Sequence, residues 1–383
     1  MSSQTETPQQ ERRHTRLEDI QGLETSMVRA TNNRPLLFVA AGALLVTLVL
    51  WFVVDLHGAL AIAIGYIGFL IASYVVYRSI GGPRVGLDVL IRWLVYAAFT
   101  MAILPLISLL WTVIIEGIPL AFTPSFWTED MRGITGVDDA KFMAGETSSI
   151  AGGAGHAILG TLQITGVAGL ISVPIGMFTA IYLVEYGGNN FLSRGIRFLV
   201  DVMTGIPSIV AGLFAFALFV QIFGPRDAKM GLAGAIALSV LMIPTVVRNS
   251  EEMLRIVPNE LREAALALGV PKWRTIVKVV LPTAASGLAS GITLAVARVI
   301  GETAPLLVAI GFARGYNTDM LNGAINTLAV YTYELFTKPL NPGIIEPSRE
   351  RAWAAALLLV LVVVSLNLLA RLIAKLFAPK TGR

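Results

Sequence analysis

The sequence contains no cysteine, which excludes disulfides and thiolate-bound metal and leaves the redox compartment unread. Histidine is almost as scarce. His14, His57 and His156 are scattered without ligand spacing, so no structural metal site is expected. Charge is also thin, at 14% of 383 residues, against about 25% in a soluble domain. No Gly-x-x-x-x-Gly-Lys-Ser/Thr stretch occurs, so the chain is not expected to hydrolyse ATP through the usual phosphate loop. A cleavable leader is not expected either, because the first apolar run follows about 34 mostly polar residues and is itself long enough to span.

Apolar residues fill the space: 55% of the chain is hydrophobic and the mean hydropathy is +0.72. They fall in runs of roughly 20 or more, the length a helix needs to cross about 30 Å of hydrocarbon. In that medium each backbone polar group must be paired internally, which leaves helical bundles or closed barrels. The runs are continuous rather than alternating, so the expectation is an all-α, polytopic membrane bundle. Eight spans are predicted, near 35–55, 58–77, 91–115, 157–184, 198–223, 231–249, 284–311 and 352–375. The first two form a tight hairpin behind a polar tail, 1–34, expected to be disordered and cytoplasmic. The remainder is expected from about 88, with its core over 153–375.

The net charge of +4 and pI near 9.4 suggest a nucleic-acid partner until the charges are placed. With both termini inside, 20 of the 29 lysines and arginines fall on cytoplasmic segments, 8 fall outside, and Arg298 lies within a span. That bias is the positive-inside pattern of a membrane protein, and no nucleic-acid partner is needed to explain it. Two polar connections, 116–156 and 312–351, are expected outside. The first carries six acids against Arg132 and Lys141, and fits either a docking surface for an external partner or a plain solvated connection.

Between 250 and 283 the chain is neither apolar enough to span nor polar enough for a simple loop. Leu261, Ala264, Ala265 and Leu268 recur at helical spacing and make one apolar face. Gly269 suits a left-handed helix stop, Pro271 the first turn of a second helix, and Leu281-Pro282 is predicted to break the run before the next span. The result is a compact knob. It either docks in a partner's groove, with small Ala264 and Ala265 allowing close approach and Glu263 pairing a basic residue, or lies amphipathic on the membrane surface.

The seventh span carries charge. Arg298 stands about fourteen residues in, and Glu302 follows one turn later. On a continuous helix, Gly287, Gly291, Arg298, Glu302 and Pro305 share a sector of about 60°. A charge near the bilayer centre costs roughly 2.5–3.5 kcal/mol on insertion scales, so this face is expected against protein or a watery path. Either the two residues form a neutralising pair, or Arg298 holds an oxyanion in its guanidinium fork while Glu302 tempers the affinity. Arg248, after Ile243-Pro244-Thr245, reads as an inner-boundary anchor on its own, and Asp201 as an interfacial acid.

Glu263-Ala264-Ala265, then Gly269 after three residues, then Ile276 and Leu281-Pro282 resemble the coupling motif of ABC importer permeases. Ala297-Arg298-x-x-Gly301-Glu302-Thr303-Ala304-Pro305-Leu306-Leu307 resembles the PstA family of phosphate permeases, as do Gly205-x-Pro207-Ser208-Ile209 and Pro244-Thr245-x-x-Arg248. The resemblance covers about 88–377 and leaves the first 80 or so residues as an addition. It implies a type I importer permease core in the cell membrane that moves inorganic phosphate past Arg248, Arg298 and Glu302. It implies a PstC-like sister permease, a PstB-like ATP-binding dimer that holds ATP and magnesium and receives the knob, and a PstS-like external phosphate-binding protein. No cofactor is implied in this chain. Another oxyanion as substrate, an ATP-independent carrier, or a membrane-embedded enzyme using Arg298 and Glu302 stay open on the residues alone.

Overall fold

The structure, a computed structural model, describes residues 34–188 and 190–377, with side chains to 372. The expected tail 1–34 lies outside the described residues except for Arg34, which opens the first helix. Among the described residues all regular structure is helical. The chain forms two compact units that divide between Leu109 and Leu110.

The first unit holds α1 (Arg34–Phe52), α2 (Gly58–Gly81) and the start of α3 (Pro83–Ala121). Helices α1 and α2 form the predicted hairpin, and Gly65 of α2 leaves room for the Thr47 side chain of α1. Tyr66 of α2 donates its hydroxyl to the Trp93 carbonyl at 2.6 Å, which ties α2 to α3. At 39 residues α3 overruns the span expected at 91–115.

The second unit continues with α4 (Pro124–Thr128), α5 (Gly136–Met143) and α6 (Gly155–Ile181), the last extended by a π-helical turn over Tyr182–Tyr186. Next come α7 (Phe191–Thr204), α8 (Ser208–Phe223), α9 (Gly231–Ile256) and α10 (Asn259–Ala267). A short α11 (Lys272–Thr275) passes through a second π turn, Ile276–Val280, into α12 (Leu281–Val299). The chain closes with α13 (Ala304–Ala309), α14 (Leu328–Thr337) and α15 (Glu346–Phe377). Among the described residues, seven helices are long and apolar enough to cross a membrane, and the bent pair α7–α8 would make an eighth span.

Small residues let the spans pack closely. Gly176 of α6 faces Val246 of α9, where a Cβ would sit 2.6 Å from a valine methyl. Gly287 and Gly291 of α12 leave room for Met253 and Asn249 of α9, and Asn249 Nδ2 donates to the Gly291 carbonyl at 3.0 Å. The expected Gly-x-x-x-Gly face therefore packs on a helix. One buried cluster joins Ile164, Ala215, Phe219, Leu238, Met242, Ala295 and Leu306 from α6, α8, α9, α12 and α13.

Three expectations change. The fifth span is not one helix over 198–223, since α7 and α8 meet at 105° across Gly205-Ile206-Pro207. The proline has no N–H to continue the ladder and disfavours helical backbone at Ile206 before it. The seventh helix stops at Val299 rather than near 311, and the chain breaks over Gly301-Glu302-Thr303 before α13. At its other end, Leu281-Pro282 does not break the run, which is helical from Lys272 to Val299. The π turn places the Leu281 N–H on the Ile276 carbonyl, so Pro282 enters an α-helix at a first-turn position where no donor is needed.

The connections 116–156 and 312–351 are folded together rather than plain solvated loops. Asp139 and Arg351 are fully buried and bond at 2.6 Å, while Arg351 Nε donates to the Ala151 carbonyl at 3.0 Å. Met131 N–H bonds the Arg314 carbonyl at 2.8 Å, and Tyr316 donates to the Thr128 carbonyl at 2.7 Å. Phe126, Met131, Tyr331, Leu335 and Leu358 pack beneath.

Candidate functional site

Two interrupted helices meet inside the bundle. The α7–α8 break and the Gly301–Thr303 break approach each other because Gly212 of α8 lies against Pro305, where a Cβ would fall 2.5 Å from the proline backbone. Irregular backbone at membrane depth is tolerated where it is enclosed by protein or lines a watery cavity. A cavity of about 200 Å³ lies here, lined by Thr204, Ile206 and Ser208 from the first break, Pro244 and Thr245 of α9, and Arg298 and Glu302.

Arg298 is the penultimate residue of α12, and its Nη1 donates to Thr245 Oγ1 at 3.4 Å. Glu302 lies beyond the helix end, so the two residues do not stand one turn apart on a shared face, and Pro305 leaves that face too. The expected neutralising i,i+4 pair is absent: no ion pair within 4.0 Å joins them among the described residues. They line one cavity without closing it. The N-terminus of the 16-residue α8 begins at Ser208 on the same wall, adding the positive end of a helix dipole. A guanidinium, a helix N-terminus and three hydroxyls suit an anion, with a carboxylate nearby to limit its affinity.

Arg248, one turn along α9 from Thr245, turns into a neighbouring cleft of about 310 Å³. It is ion-paired with Asp201 of α7 at 2.5 Å, and both side chains are more than half exposed. Glu251 in the same cleft receives Arg197 at 3.1 Å and Arg255 at 2.5 Å. Arg248 and Arg298 thus occupy successive cavities along α7 and α9 rather than one site. The sequence motifs singled out Arg248, Arg298 and Glu302 but missed Thr204 and the Arg197–Glu251–Arg255 cluster. Alternating basic and acidic residues at helix ends carry no partner information until the helices are packed.

The knob has the predicted local form. Gly269 has φ +76, in the left-handed region. Its N–H bonds the Leu266 carbonyl at 2.9 Å and the Val270 N–H bonds the Ala265 carbonyl at 3.1 Å, the two bonds of a Schellman stop. Pro271 N-caps the next turn instead of entering it. Glu263, Ala264, Leu261, Leu266 and Leu268 are exposed, Leu268 at 84%, and Trp273 is 57% exposed. Among the described residues nothing covers this apolar surface, while Ala265 is half-buried.

An unmatched element holds the knob in place. Arg262, hidden on its inner face, donates Nε and Nη2 to Glu185 Oε1 at 3.0 and 2.9 Å. It also bonds the carbonyls of Leu254 at 2.8 Å and Val257 at 2.6 Å.

A helical bundle with broken spans around a polar cavity, bearing an unpartnered helical knob, is a membrane transport subunit built to work with other chains. Residues 172–383 match the family described as binding-protein-dependent transport system inner membrane component. The chain is similar to phosphate transport system permease protein PstA 1 of Mycobacterium tuberculosis (strain ATCC 25618 / H37Rv). They are 45% identical over 278 residues, covering 73% of this chain and 84% of the relative. PstA of Mycobacterium leprae (strain TN) is 42% identical, covering 71% and 84%, and PstA of Yersinia pestis is 40% identical, covering 65% and 81%. Among solved structures, an inward-facing MetNI methionine ABC transporter chain aligns with TM-score 0.47 at 21% identity, covering 58% of this chain and 95% of that one. A bacterial ABC transporter involved in alginate import aligns with TM-score 0.46 at 17% identity, covering 76% and 98%.

The chain belongs to the family of binding-protein-dependent transport system inner membrane components, among permeases of the PstA kind. It is a multi-pass permease subunit and not the membrane-embedded enzyme that the charged span alone left open.

Proposed function

We propose that the chain conducts inorganic phosphate as one half of the pore of an ATP-driven importer. The observation that carries this reading is the single cavity in which Arg298, Glu302 and the α8 N-terminus converge at two helix breaks. A phosphate oxyanion would bridge the guanidinium and the Ser208 end, and Glu302 would keep binding weak enough for release. The next arginine along the route, Arg248, is held by Asp201, so an anion leaving Arg298 would exchange with that carboxylate.

The remaining half of the pore is assigned to a PstC-like sister permease. A pair of PstB-like subunits would bind ATP and magnesium and seat the exposed knob through Glu263, Ala264, Ala265 and the turn at Gly269. The π turn ending at Leu281-Pro282 then makes the knob continuous with α12, which carries Arg298. A PstS-like binding protein would dock on the folded 116–156 and 312–351 connections. The lysine and arginine bias supports cytoplasmic termini.

The test is radiolabelled phosphate uptake by the assembled transporter in a host lacking its own uptake. Arg298→Gln is expected to abolish uptake with all subunits in the membrane, and Gly269→Asp to abolish it through lost coupling. Uptake that persists in Arg298→Gln returns Arg298 to a structural role. Uptake of another oxyanion but not phosphate by the wild type would replace the substrate and keep the pore.

A further inference from the structure

We infer that Arg262 and Glu185 form a clasp that makes the knob and two spanning helices move as one body, and that this clasp, rather than the exposed knob surface alone, passes the ATPase stroke to the pore. The inference rests on the proposed transport reading and adds two positioning residues to it.

Arg262 precedes Glu263 on α10 but points the other way. Its side chain is 15% exposed and that of Glu185 is 6% exposed. The guanidinium places Nε and Nη2 on one carboxylate oxygen of Glu185. Nη2 also reaches the Leu254 carbonyl, and Nη1 reaches the Val257 carbonyl, both at the end of α9. Nη1 further contacts Asn259 Oδ1 at 3.2 Å, fixing the fork at the start of α10. One side chain thus joins α10, the tail of α9 and the π turn that ends α6.

Those helices are the walls of the candidate route. Helix α9 carries Thr245 and Arg248 into the two cavities, and α6 packs along α9. The apolar contact beneath the clasp is modest: Leu254, Val257, Ala180 and Val280 form a small cluster. Helix α10 itself has no fully buried residue, so packing alone holds it weakly. Charge-assisted bonds at fixed angles are what resist its rotation. Glu185 sits in a π turn whose last bond, Gly187 N–H to the Tyr182 carbonyl, is 2.6 Å long. That wide turn aims the carboxylate inward toward α10. In an isolated α-helix nothing would specify that direction.

The experiment uses the complete transporter in proteoliposomes, with ATP hydrolysis and radiolabelled inorganic phosphate uptake measured on the same vesicles. In Glu185→Gln and Arg262→Gln, the ATP-binding subunits are expected to stay bound and hydrolysing while phosphate moved per ATP falls about tenfold. A factor of that size lies inside the usual range for coupling between sites, roughly 5–150-fold. Arg262→Lys, which keeps the charge but not the fork, is expected to fall between. Hydrolysis and uptake that decline together, or an unchanged ratio, overturn the clasp.

A second measurement does not depend on phosphate being the substrate. Because the chain has no cysteine, spin labels at Glu260→Cys and Tyr186→Cys report one distance across the clasp. The wild type is expected to hold one distance with and without ATP, and Glu185→Gln to show two. Matching behaviour in both overturns the inference, whichever oxyanion is carried, whereas a wild type that holds its distance but moves no phosphate removes only the substrate reading.

Discussion

At the residue scale, the two conspicuous charges of the sequence separate in space. Arg298 and Glu302 were legible as functional because charge in a span demands a reason. Their relation was not legible, because helical spacing holds only while the helix continues and Gly301 ends it. Glu302 forms no ion pair among the described residues, so Glu302→Gln should leave the fold intact. It should tighten phosphate retention and slow release, read as a lower KM with reduced maximal uptake. Asp201→Asn frees Arg248 and is expected to change uptake kinetics without changing the amount of assembled protein. Equal kinetics would make the Asp201–Arg248 pair a boundary anchor. Gly269 is a position where the backbone itself decides. A left-handed residue with a Cβ costs roughly 1–2 kcal/mol, and Gly269→Ala should weaken ATP-dependent uptake while leaving the spans folded, as judged by unchanged helical circular dichroism.

At the scale of elements, breaks and turns mattered more than spans. Most span positions could be read from apolar runs, because roughly 20 apolar residues admit few other structures. Proline misled twice in opposite directions. Pro207 breaks its run by 105°, whereas Pro282 continues one, because a π turn upstream removes the demand for its missing N–H. Sequence alone does not show which accommodation a proline will find. Gly212 is the contact that brings the two breaks together. Gly212→Val should force Pro305 away and cost about 1–3 kcal/mol by overpacking. Uptake is expected to be lost and the melting temperature lowered, and retained transport would show that the breaks need not meet. In the folded connection 116–156, Asp138 accepts from the N–H and hydroxyl of Thr135 at 2.9 and 3.0 Å at the start of α5. These bonds lower its pKa below 3.8. A depressed acid stabilises the fold above its unfolded pKa, and that contribution is lost as pH falls through the folded value. The protection factor of the Thr135 amide should therefore fall at low pH in the wild type, and be small already at neutral pH in Asp138→Ala.

At the scale of the whole molecule, the connections 116–156 and 312–351 carry a folded structure of their own. The Asp139–Arg351 pair fully buried in the cap formed by the two folded connections was invisible in sequence, where both residues read as members of exposed loops 212 positions apart. Removing one partner of a buried pair costs roughly 3–5 kcal/mol. Asp139→Ala is expected to lower the melting temperature sharply, and pairing it with Arg351→Met should recover much of the loss. A double variant no better than the single one would show that the cap depends on the charges themselves. The family was legible because its coupling and charged-span motifs are short and complete. The folded cap was not, because its bonds join distant segments whose local composition is only polar.

The knob has a consequence for the order in which the transporter is built. Its turn is closed by bonds between residues five or fewer positions apart, and its anchor, Glu185, lies 77 residues upstream. Everything the knob needs has therefore left the ribosome before α15 is complete. Locally bonded structure forms far faster than translation, which proceeds at about 5–20 residues per second. The ATP-binding subunit could thus be recruited to a chain whose last span is not yet made. Ribosome-stalled chains ending at Ile345 would capture that subunit if so, and would stay bare if α15 must first complete the bundle.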